Sequence, residues 1–395
     1  MKKTTVFASF SLISFFLVSL ASACGGGEEN PFGVNSELVT TAERPIALAV
    51  APDGRLFYGE HQTGNIGIVT PEGELLPDPF VQVDVQIGIE WGLTGLTLDP
   101  DFDSNHYVYV YFTQLVDAGP PVIAKPVVVR YTDENNHGVD RKIIVEDMPE
   151  TDPDHPGFNA NGGIHFGPDG FLYITVGDYD VAEVAGMASY AQDLSTPIGK
   201  ILRVSSEDGS AAPDNPFIDN PDADPRIFAY GFRQSFDFAF DPETGQLYGS
   251  DGTSAGTCEE LNLISKGANY DWPEVGEFPF ADCLFGEHAK GIHFFAKEGM
   301  EPGDFVSSVN VSALAFTSQK TDPLFGDSLL VCESETQLMR RLTLGGANLD
   351  QVLADDVVVK DCEMGIAVSP DGIIYYSNKE EIRRLIPQVP EADSS

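Results

Sequence analysis

The sequence predicts an all-β protein, a single six-bladed β-propeller, on three observations. Short runs rich in β-branched and aromatic residues alternate with Pro, Asp, Gly and Asn, whereas helical periodicity is nearly absent. A loose unit of strand, turn and strand recurs along most of the chain. At 395 residues the chain is long for an ordinary domain, but closed all-β architectures commonly reach this length.

The clearest copies of the repeat place a Pro-Asp-Gly turn between two apolar strands. They occupy Ala47–Tyr58, Gly163–Thr175 and Gly365–Tyr376. Pro fixes one dihedral angle of such a turn, and Asp and Gly accept the remaining conformations. Looser copies lie at 95–112, 238–248 and 313–331, which brings the predicted number of blades to six.

Stacking between repeats follows from their apolar faces. Each predicted hairpin has two apolar faces that it cannot bury alone, so neighbouring blades must pack on both sides. Closing the ring removes exposed sheet edges, and we expect the first strand after the N-terminal tether to complete the last blade. A β-sandwich of similar hairpins is the alternative, but six copies of the unit argue against it.

The N-terminus has the features of an export signal. Lys2 and Lys3 precede an apolar stretch at 6–21 that is too short for a comfortable membrane span. The following residues fit an ordinary signal-peptidase site and also a bacterial lipoprotein site at Cys24, which we favour. We expect a location in the bacterial cell envelope, lipid-anchored or periplasmic to extracellular. The predicted segments are a signal peptide at 1–23, a lipidated cysteine and flexible tether at 24–40, the propeller at 41–388 and a tail at 389–395.

Cysteine usage agrees with export. Of five cysteines, four remain once Cys24 is set aside, and an even number in an exported protein predicts two disulfides. Three pairings are possible. We predict Cys258–Cys283 and Cys332–Cys362, because the members of each pair are close along the chain.

Charge and motifs exclude several classes of function. The formal net charge is −40, so the surface repels nucleic acid and anionic lipid headgroups, and the membrane is expected to be contacted only through the lipid anchor. A solvated surface adapted to a salty medium explains most of this charge. The chain contains no Gly-x-Ser-x-Gly elbow, His-Glu-x-x-His helix, phosphate-binding glycine loop or Cys-x-x-Cys pair.

Segments between the repeats carry a family resemblance. They include Glu90–Phe102, Gly199–Val204 (Gly-Lys-Ile-Leu-Arg-Val), Tyr230–Arg233 (Tyr-Gly-Phe-Arg) and Lys266–Pro273 (Lys-Gly-Ala-Asn-Tyr-Asp-Trp-Pro). In this order they resemble the soluble glucose/sorbosone dehydrogenase family, the PQQ-dependent aldose sugar dehydrogenases, across nearly the whole mature chain. The resemblance implies a six-bladed propeller, an aldose substrate oxidised at C1, hydride transfer to a quinone cofactor and a periplasmic electron acceptor.

The resemblance also implies catalytic residues. The family's catalytic histidine aligns with Asn159, whose amide cannot accept a proton, and His155 is a nearby candidate to replace it. Arg233 matches the arginine that stabilises charge on the quinone, and Gln234 follows it. Glu90 matches a polar acceptor near the sugar and cofactor. The structural alternatives are a loop histidine for His155, an interblade salt bridge for Arg233 and a solvent-facing turn residue for Glu90.

The positions that hold the cofactor's carboxylates differ from the family pattern. A lysine aligns with Glu335, and a pair of arginines aligns with Cys362 and Met364. These exchanges would leave cofactor carboxylates poorly paired, at a cost on the order of several kcal/mol. Arg340 and Arg341 are the nearest basic residues that could compensate.

Calcium is the second cofactor that the resemblance implies. Gly252 and Thr253 match a turn whose backbone carbonyls hold the active-site ion, and carbonyl oxygens are suitable calcium ligands. Glu260 and the carbonyl of Tyr270 match a second, structural calcium site, although a surface carboxylate is the alternative for Glu260. Two further functions remain open for the chain: a catalytically inactive propeller that binds a carbohydrate or protein, and a calcium-dependent lactonase-type hydrolase.

Overall fold

The computed structural model describes residues 32–387 apart from short gaps, and the export signal, Cys24, His155 and Cys283 lie outside the described residues. The gaps are 89, 121, 152–158, 161, 180–189, 255–257, 273–290, 302–303, 305–307 and 323. In the described part, no helix has both the length and the apolar character needed to cross a membrane.

The described chain forms 24 strands, one short α-helix and one short 3-10 helix. The strands are β1 Val34–Thr41, β2 Pro45–Val50, β3 Leu56–Glu60, β4 Asn65–Val69, β5 Val81–Gln82, β6 Leu93–Leu98, β7 Tyr107–Asp117, β8 Ile123–Glu134, β9 His137–Val145, β10 Ile164–Phe166, β11 Leu172–Val176, β12 Lys200–Val204, β13 Ile227–Tyr230, β14 Phe238–Phe240, β15 Leu247–Ser254, β16 Cys258–Ile264, β17 Gly291–Phe295, β18 Val311–Thr317, β19 Ser328–Glu333, β20 Leu338–Gly345, β21 Gln351–Lys360, β22 Ile366–Val368, β23 Ile374–Ser377 and β24 Glu381–Pro387. The α-helix is Phe102–Asn105 and the 3-10 helix is Tyr190–Gln192.

These strands form six four-stranded antiparallel sheets, which confirms the predicted six-bladed propeller. Blades 1 to 5 are consecutive meanders: β2–β5, β6–β9, β10–β13, β14–β17 and β18–β21. Blade 6 has the order β1-β24-β23-β22, so the first strand of the fold completes the last blade, as expected. Strand β1 begins at Val34, earlier than the domain boundary expected at residue 41, because its backbone pairs with β24.

The Pro-Asp-Gly segments form the turns that the repeat predicts. Gly54, Gly170 and Gly372 have φ angles of +86°, +80° and +89°, in the left-handed region that glycine tolerates best. The amide of Gly54 donates to the carbonyl of Ala51, which closes the first of these turns at 2.9 Å. Each turn connects the innermost strand of a blade with its second strand.

Aromatic rings fill the interfaces between blades. Tyr109 of blade 2 meets Phe166 of blade 3 with ring centroids 5.2 Å apart. Tyr173 of blade 3 meets Phe240 of blade 4 at 5.0 Å. Both contacts are edge-to-face, a geometry that contributes roughly 0.5–1.5 kcal/mol beyond the burial of area. Similar ring contacts join blades 1 and 2, 4 and 5, and 5 and 6.

The meander determines which loops share an end of the ring. Successive strands alternate in direction, so the loops that enter each innermost strand lie at the same end as the loops between the second and third strands. The Pro-Asp-Gly turns lie at the opposite end. We call the first end the mouth and define it by the described residues of three loops, together with the facing ends of β11, β15 and β16. The loop residues are 83–88, 90–92, 146–151, 159–160, 162–163 and 231–237.

The central channel is narrow near Asp237. Asp237, just before β14, accepts a hydrogen bond from the amide of Leu314 in blade 5 at 2.8 Å. Its other carboxylate oxygen lies 2.8 Å from Nε2 of His165 in blade 3. These contacts tie three blades together across the axis, beside a cavity of about 30 Å³, the space of about one water molecule.

One of the two predicted disulfides lies within the described residues. Cys332 of β19 bonds to Cys362, which precedes β22, so the bridge joins blades 5 and 6. Both cysteines are fully buried. The other predicted pair, Cys258–Cys283, stays a prediction because Cys283 lies outside the described part of the chain.

The lysine of the Gly-Lys-Ile-Leu-Arg segment, Lys200, is a buried structural residue. It begins β12 with no exposed surface, and its ammonium donates to the carbonyls of Tyr190, Ala191 and Ile198 at 2.8, 2.9 and 2.7 Å. Burial lowers the pKa of Lys200 to about 7, although the charge of Asp193 opposes the shift. A single side chain therefore fixes the 3-10 helix against blade 3.

We predict that Lys200→Met lowers the free energy of unfolding by about 2–4 kcal/mol, because three buried carbonyls lose their donor. Burial lowers the pKa of Lys200, so the folded state binds its proton less readily than the unfolded state does. The free energy of unfolding should therefore decrease as the pH falls from about 10 to 7. Denaturant unfolding at both pH values measures this slope, which the variant should lack. Lys320→Met, at an exposed position, is the control, and a Lys200→Met variant as stable as the control would contradict the prediction.

Candidate active site

Three loops of the mouth converge on the carboxylate of Glu90. The loop before β6 carries Glu90, the loop before β10 carries Asn159, and the loop before β14 carries Arg233 and Gln234. Nε2 of Gln234 donates to Oε1 of Glu90 at 2.9 Å, and the backbone amide of Asn159 donates to Oε2. Residues from three separate blade connections are thus joined by one side chain.

The environment of Glu90 disfavours its charge. Burial raises the pKa of the Glu90 carboxyl, and the nearby charge of Asp178 raises it further. The amide of Asn159, the charge of Arg233 and the amide of Gln234 lower it and offset part of the effect. Glu90 is half-buried as a residue, and both of its carboxylate oxygens accept hydrogen bonds from the protein.

Asn159 is fixed beneath this carboxylate. It is 3% exposed and adopts a left-handed backbone conformation with φ +57°. Its Nδ2 donates to Oδ1 of the fully buried Asp178 at 3.2 Å, and Oδ2 of Asp178 accepts from Nε1 of Trp272 at 2.8 Å. Asp178 was missed by the sequence analysis. Trp272 lay in one of the distinctive segments, but its sequence carried no indication of this partner.

Arg233 lies in the wall of the mouth, between blades 3 and 4. It is 7% exposed, and its Nη1 donates to the carbonyl of Gly252 at 3.3 Å. Its guanidinium lies 5.8 Å from the ring centroid of Trp272. Oδ2 and Oδ1 of Asp251 accept the backbone amides of Arg233 and Gln234 at 3.2 and 2.7 Å. The predicted residues Arg233, Gln234 and Gly252 are therefore neighbours.

Buried carboxylates surround the carbonyl of Gly252. Asp251, Glu259 and Glu260 are at most 5% exposed, and burial raises their pKa values to about 7, 7 and 8. Glu259, which the sequence analysis missed, accepts the hydroxyl of Ser308 at 2.9 Å and the amide of Val311 at 3.2 Å. Concentrated negative charge with little water is an environment that a cation would relieve.

Metal-binding geometry is incomplete in the side chains alone. Among the described residues, no three His, Cys, Asp or Glu side chains form a group that could hold a metal ion. Calcium at the mouth would thus depend on backbone carbonyls such as those of Gly252 and Thr253, which both lie in β15. The side chain of Thr253 is outside the described part.

The second calcium site, at Glu260 and the carbonyl of Tyr270, stays a prediction. The charge of Glu260 contributes to raising the pKa of Tyr270, after burial. Glu260 accepts from Nδ2 of Asn262 at 2.9 Å, and the Tyr270 ring stacks on Phe232 with centroids 4.7 Å apart. Glu260 is 5% exposed, so it is a buried carboxylate and the surface alternative is excluded.

The predicted positions for cofactor carboxylates offer no positive charge. Glu335 is an exposed carboxylate, with Nζ of Lys297 at 3.6 Å. Met364 is 4% exposed and belongs to the apolar core, and Cys362 is held in the disulfide. None of these three side chains is itself a cation, and Lys297 lies beside Glu335.

Arg340 and Arg341, the basic residues nearest to these positions in sequence, have partners within the protein. Arg340 pairs with Glu333 and, at 3.1 Å, with Asp355. Arg341 donates to the hydroxyl of Ser328 at 2.9 Å and lies over the ring of Phe32. A role of either arginine in holding cofactor carboxylates stays a prediction.

Comparisons with known proteins agree with this geometry. Residues 42–386 match the family described as Glucose / Sorbosone dehydrogenase. The chain is 26% identical to Aldose sugar dehydrogenase YliI of Escherichia coli over 391 residues, which cover 95% of this chain and 98% of that protein. It is 27% identical to Quinoprotein glucose dehydrogenase B of Acinetobacter calcoaceticus over 260 residues, or 61% of this chain and 52% of that protein.

Another relative is not named as a dehydrogenase. Human Hedgehog-interacting protein is 28% identical over 305 residues, covering 65% of this chain and 42% of that protein. The alignments thus span only about half the length of two of these three relatives.

Solved structures support the same assignment. A Thermus thermophilus protein with a provisional assignment as an oxidoreductase (glucose dehydrogenase) has a TM-score of 0.72 and 30% identity, covering 90% of this chain and all of that one. The PQQ-bound aldose sugar dehydrogenase of Streptomyces coelicolor shares the fold at 23% identity, with a TM-score of 0.67 and coverage of 90% and 99%. With the six-bladed ring and the family match along almost all of it, the chain belongs to the glucose/sorbosone dehydrogenase family.

Proposed function

We propose that the mouth binds an aldose and that the protein oxidises the sugar at C1, with hydride transfer to a quinone. The convergence of Asn159, Arg233 and Gln234 on one side of the ring, around Glu90, carries this proposal. Carboxylate, amide and guanidinium groups supply both acceptors and donors for the hydroxyls of a sugar. The family relatives named as sugar dehydrogenases support it.

Oxidation at C1 removes a proton from the anomeric hydroxyl and a hydride from carbon. A bound quinone supplies the acceptor for the hydride. Arg233 would stabilise negative charge that develops on the acceptor's oxygen, and its buried position strengthens that interaction. Asp251 and the carbonyl of Gly252 hold Arg233 in place, so little reorganisation is needed during the reaction.

Calcium would act in two places. At the mouth, the carbonyls of Gly252 and Thr253 would hold an ion that offsets the charge of Asp251 and Glu259. Further out, Glu260 and the carbonyl of Tyr270 would hold a structural ion that fixes the segment after β16. Both roles rely on oxygen ligands that calcium prefers.

A second candidate is a catalytically inactive, calcium-dependent carbohydrate-binding propeller. The observation that favours it is the absence of cations at Glu335, Cys362 and Met364, which weakens the expected hold on PQQ. The similarity to Hedgehog-interacting protein shows that the relatives are not all named as dehydrogenases. The third possibility, lactone hydrolysis with calcium alone, would acidify a lactone solution without a quinone.

Export, which the N-terminal sequence predicts, is also a proposal. We infer that the chain is secreted and anchored by a lipid on Cys24, with a flexible tether before β1 and a tail after the propeller. The sugar would then be met outside the cytoplasm, and the electrons would pass to an acceptor in the same compartment.

The first functional prediction concerns Arg233. With Ca²⁺, PQQ and a panel of aldoses, the wild-type protein should reduce a dye, and Arg233→Gln should lower kcat by about 10²–10³-fold. Arg141→Gln, an exposed position on β9, is the matched control. A wild-type protein that binds aldose but reduces no dye at any PQQ concentration would favour the carbohydrate-binding alternative.

The second functional prediction concerns calcium. Adding Ca²⁺ to protein stripped with a chelator should raise Tm, and Glu260→Gln should remove part of that shift because the structural site loses a carboxylate. Calorimetry with Ca²⁺ and with Mg²⁺ measures the effect, and Mg²⁺ should give little stabilisation. Glu72→Gln, in the exposed turn between β4 and β5, should keep the full shift. Equal shifts in all three proteins would argue against the site.

The third concerns the anchor. In a bacterial host, radiolabelled palmitate should mark the wild-type chain and leave Cys24→Ser unlabelled. A mature protein that carries no lipid mass would instead indicate cleavage by the ordinary signal peptidase.

A further inference from the structure

We propose that Glu90 is the base that takes the proton from the C1 hydroxyl of the sugar, in place of the histidine that this chain lacks at residue 159. The inference rests on the proposed aldose oxidation and assigns a role within it. Asn159 has no basic atom, so a reaction at this mouth needs another proton acceptor.

The two hydrogen bonds on Glu90 orient it for this role. Gln234 donates to one carboxylate oxygen at 2.9 Å and the amide of Asn159 donates to the other. A carboxylate can accept about four hydrogen bonds, so each oxygen keeps a further acceptor position. The group is therefore held in a fixed plane without being saturated.

Position also favours Glu90 over residue 159. The carboxylate lies within one hydrogen bond of the backbone of Asn159, the residue that aligns with the family's base. The side chain of Asn159 donates to Asp178 instead and is almost fully buried. Glu90 thus lies beside the backbone of this residue, while Asp178 holds the side chain of Asn159.

Exposure separates Glu90 from the other carboxylates that line this end of the ring. Asp178, Asp251, Glu259 and Glu260 are all at most 5% exposed, and each already accepts a hydrogen bond from the protein. Glu90 is half-buried. Of these carboxylate residues that the structure describes, Glu90 is therefore the least buried.

Electrostatics gives Glu90 the properties of a useful base. Two charged groups act on it from neighbouring elements, Arg233 from the loop before β14 and Asp178 from just after β11. Burial is the largest influence and raises the pKa of the carboxyl above its ordinary value. A base whose pKa approaches the working pH accepts a proton more readily than an ordinary glutamate.

The proposed step breaks two bonds of the sugar. The O–H bond of the anomeric hydroxyl breaks and its proton goes to the Glu90 carboxylate, while the C1–H bond breaks and its electron pair leaves with hydrogen as hydride. The C1–O bond becomes a carbonyl, which makes the product a lactone. A bound oxidised quinone, the co-reactant named by chemical class, would supply the acceptor for the hydride, and with one further proton it would take up the two hydrogens lost by the sugar.

Glu90→Gln and the double variant Glu90→Gln/Asn159→His test the assignment. Glu90→Gln should lower kcat at least 10²-fold and remove the acidic limb of the pH profile, because the amide cannot take the proton. Asn159→His in that background should give no rescue, because the side chain at residue 159 is buried against Asp178. Glu90→Asp should keep the limb with a reduced rate, and Glu72→Gln should match the wild type.

A readout independent of turnover uses aldose binding without quinone. Calorimetric titration in two buffers of different ionisation enthalpy measures protons exchanged on binding. The wild type should exchange protons near the pKa of Glu90, and Glu90→Gln should exchange fewer. If the wild type is active and Glu90→Gln keeps its rate and its acidic limb, the base assignment is overturned while the dehydrogenase proposal stands. If the wild type binds aldose but oxidises none with any quinone, both are overturned.

Discussion

Pairing between the first and last strands of the fold is the constraint on which the site depends. Strand β1 bonds to β24 in blade 6, so the ends of the chain are joined and the ring of blades is closed. The residues at the mouth come from loops between different blades, with Glu90 and Gln234 separated by 144 positions. Only a closed ring gives these loops fixed distances from one another, and the interblade aromatic contacts keep that geometry rigid.

The mouth combines an unusual balance of charges. One buried arginine, Arg233, lies among carboxylates whose pKa values are raised by burial. The positions that the sequence aligns with the family's carboxylate-binding cations are Glu335, the disulfide-bonded Cys362 and the apolar Met364. Burying like charges together is costly, so such an arrangement is unfavourable for stability unless a ligand compensates it. The chain has the family's fold, and the fold by itself does not fix the chemistry at its loops.

Sequence was sufficient for features that depend on neighbours along the chain. The Pro-Asp-Gly turns, the number of blades and the Cys332–Cys362 bridge all follow from short-range patterns, and the structure confirms them. Arg233 and Glu90 lie in segments that resemble the family, so they could be located from the sequence. That they are neighbours in the fold could not be predicted. Asp178 and Glu259 were out of reach, because their partners lie far along the chain. The carbonyls bound by Lys200 are within ten residues of it, but only the fold brings all three to one ammonium group. Sequence also could not show that Arg340 pairs with Asp355 or that Arg341 lies over Phe32.

The narrow part of the central channel at Asp237 limits the routes by which molecules can reach the site. The cavity beside the contacts of Asp237 with His165 and Leu314 measures about 30 Å³, which is too small for a monosaccharide to pass along the axis. Under the proposed aldose oxidation, the sugar, its product and the electron acceptor would therefore all use the mouth. Release of one of these molecules would then be a condition for binding of the next.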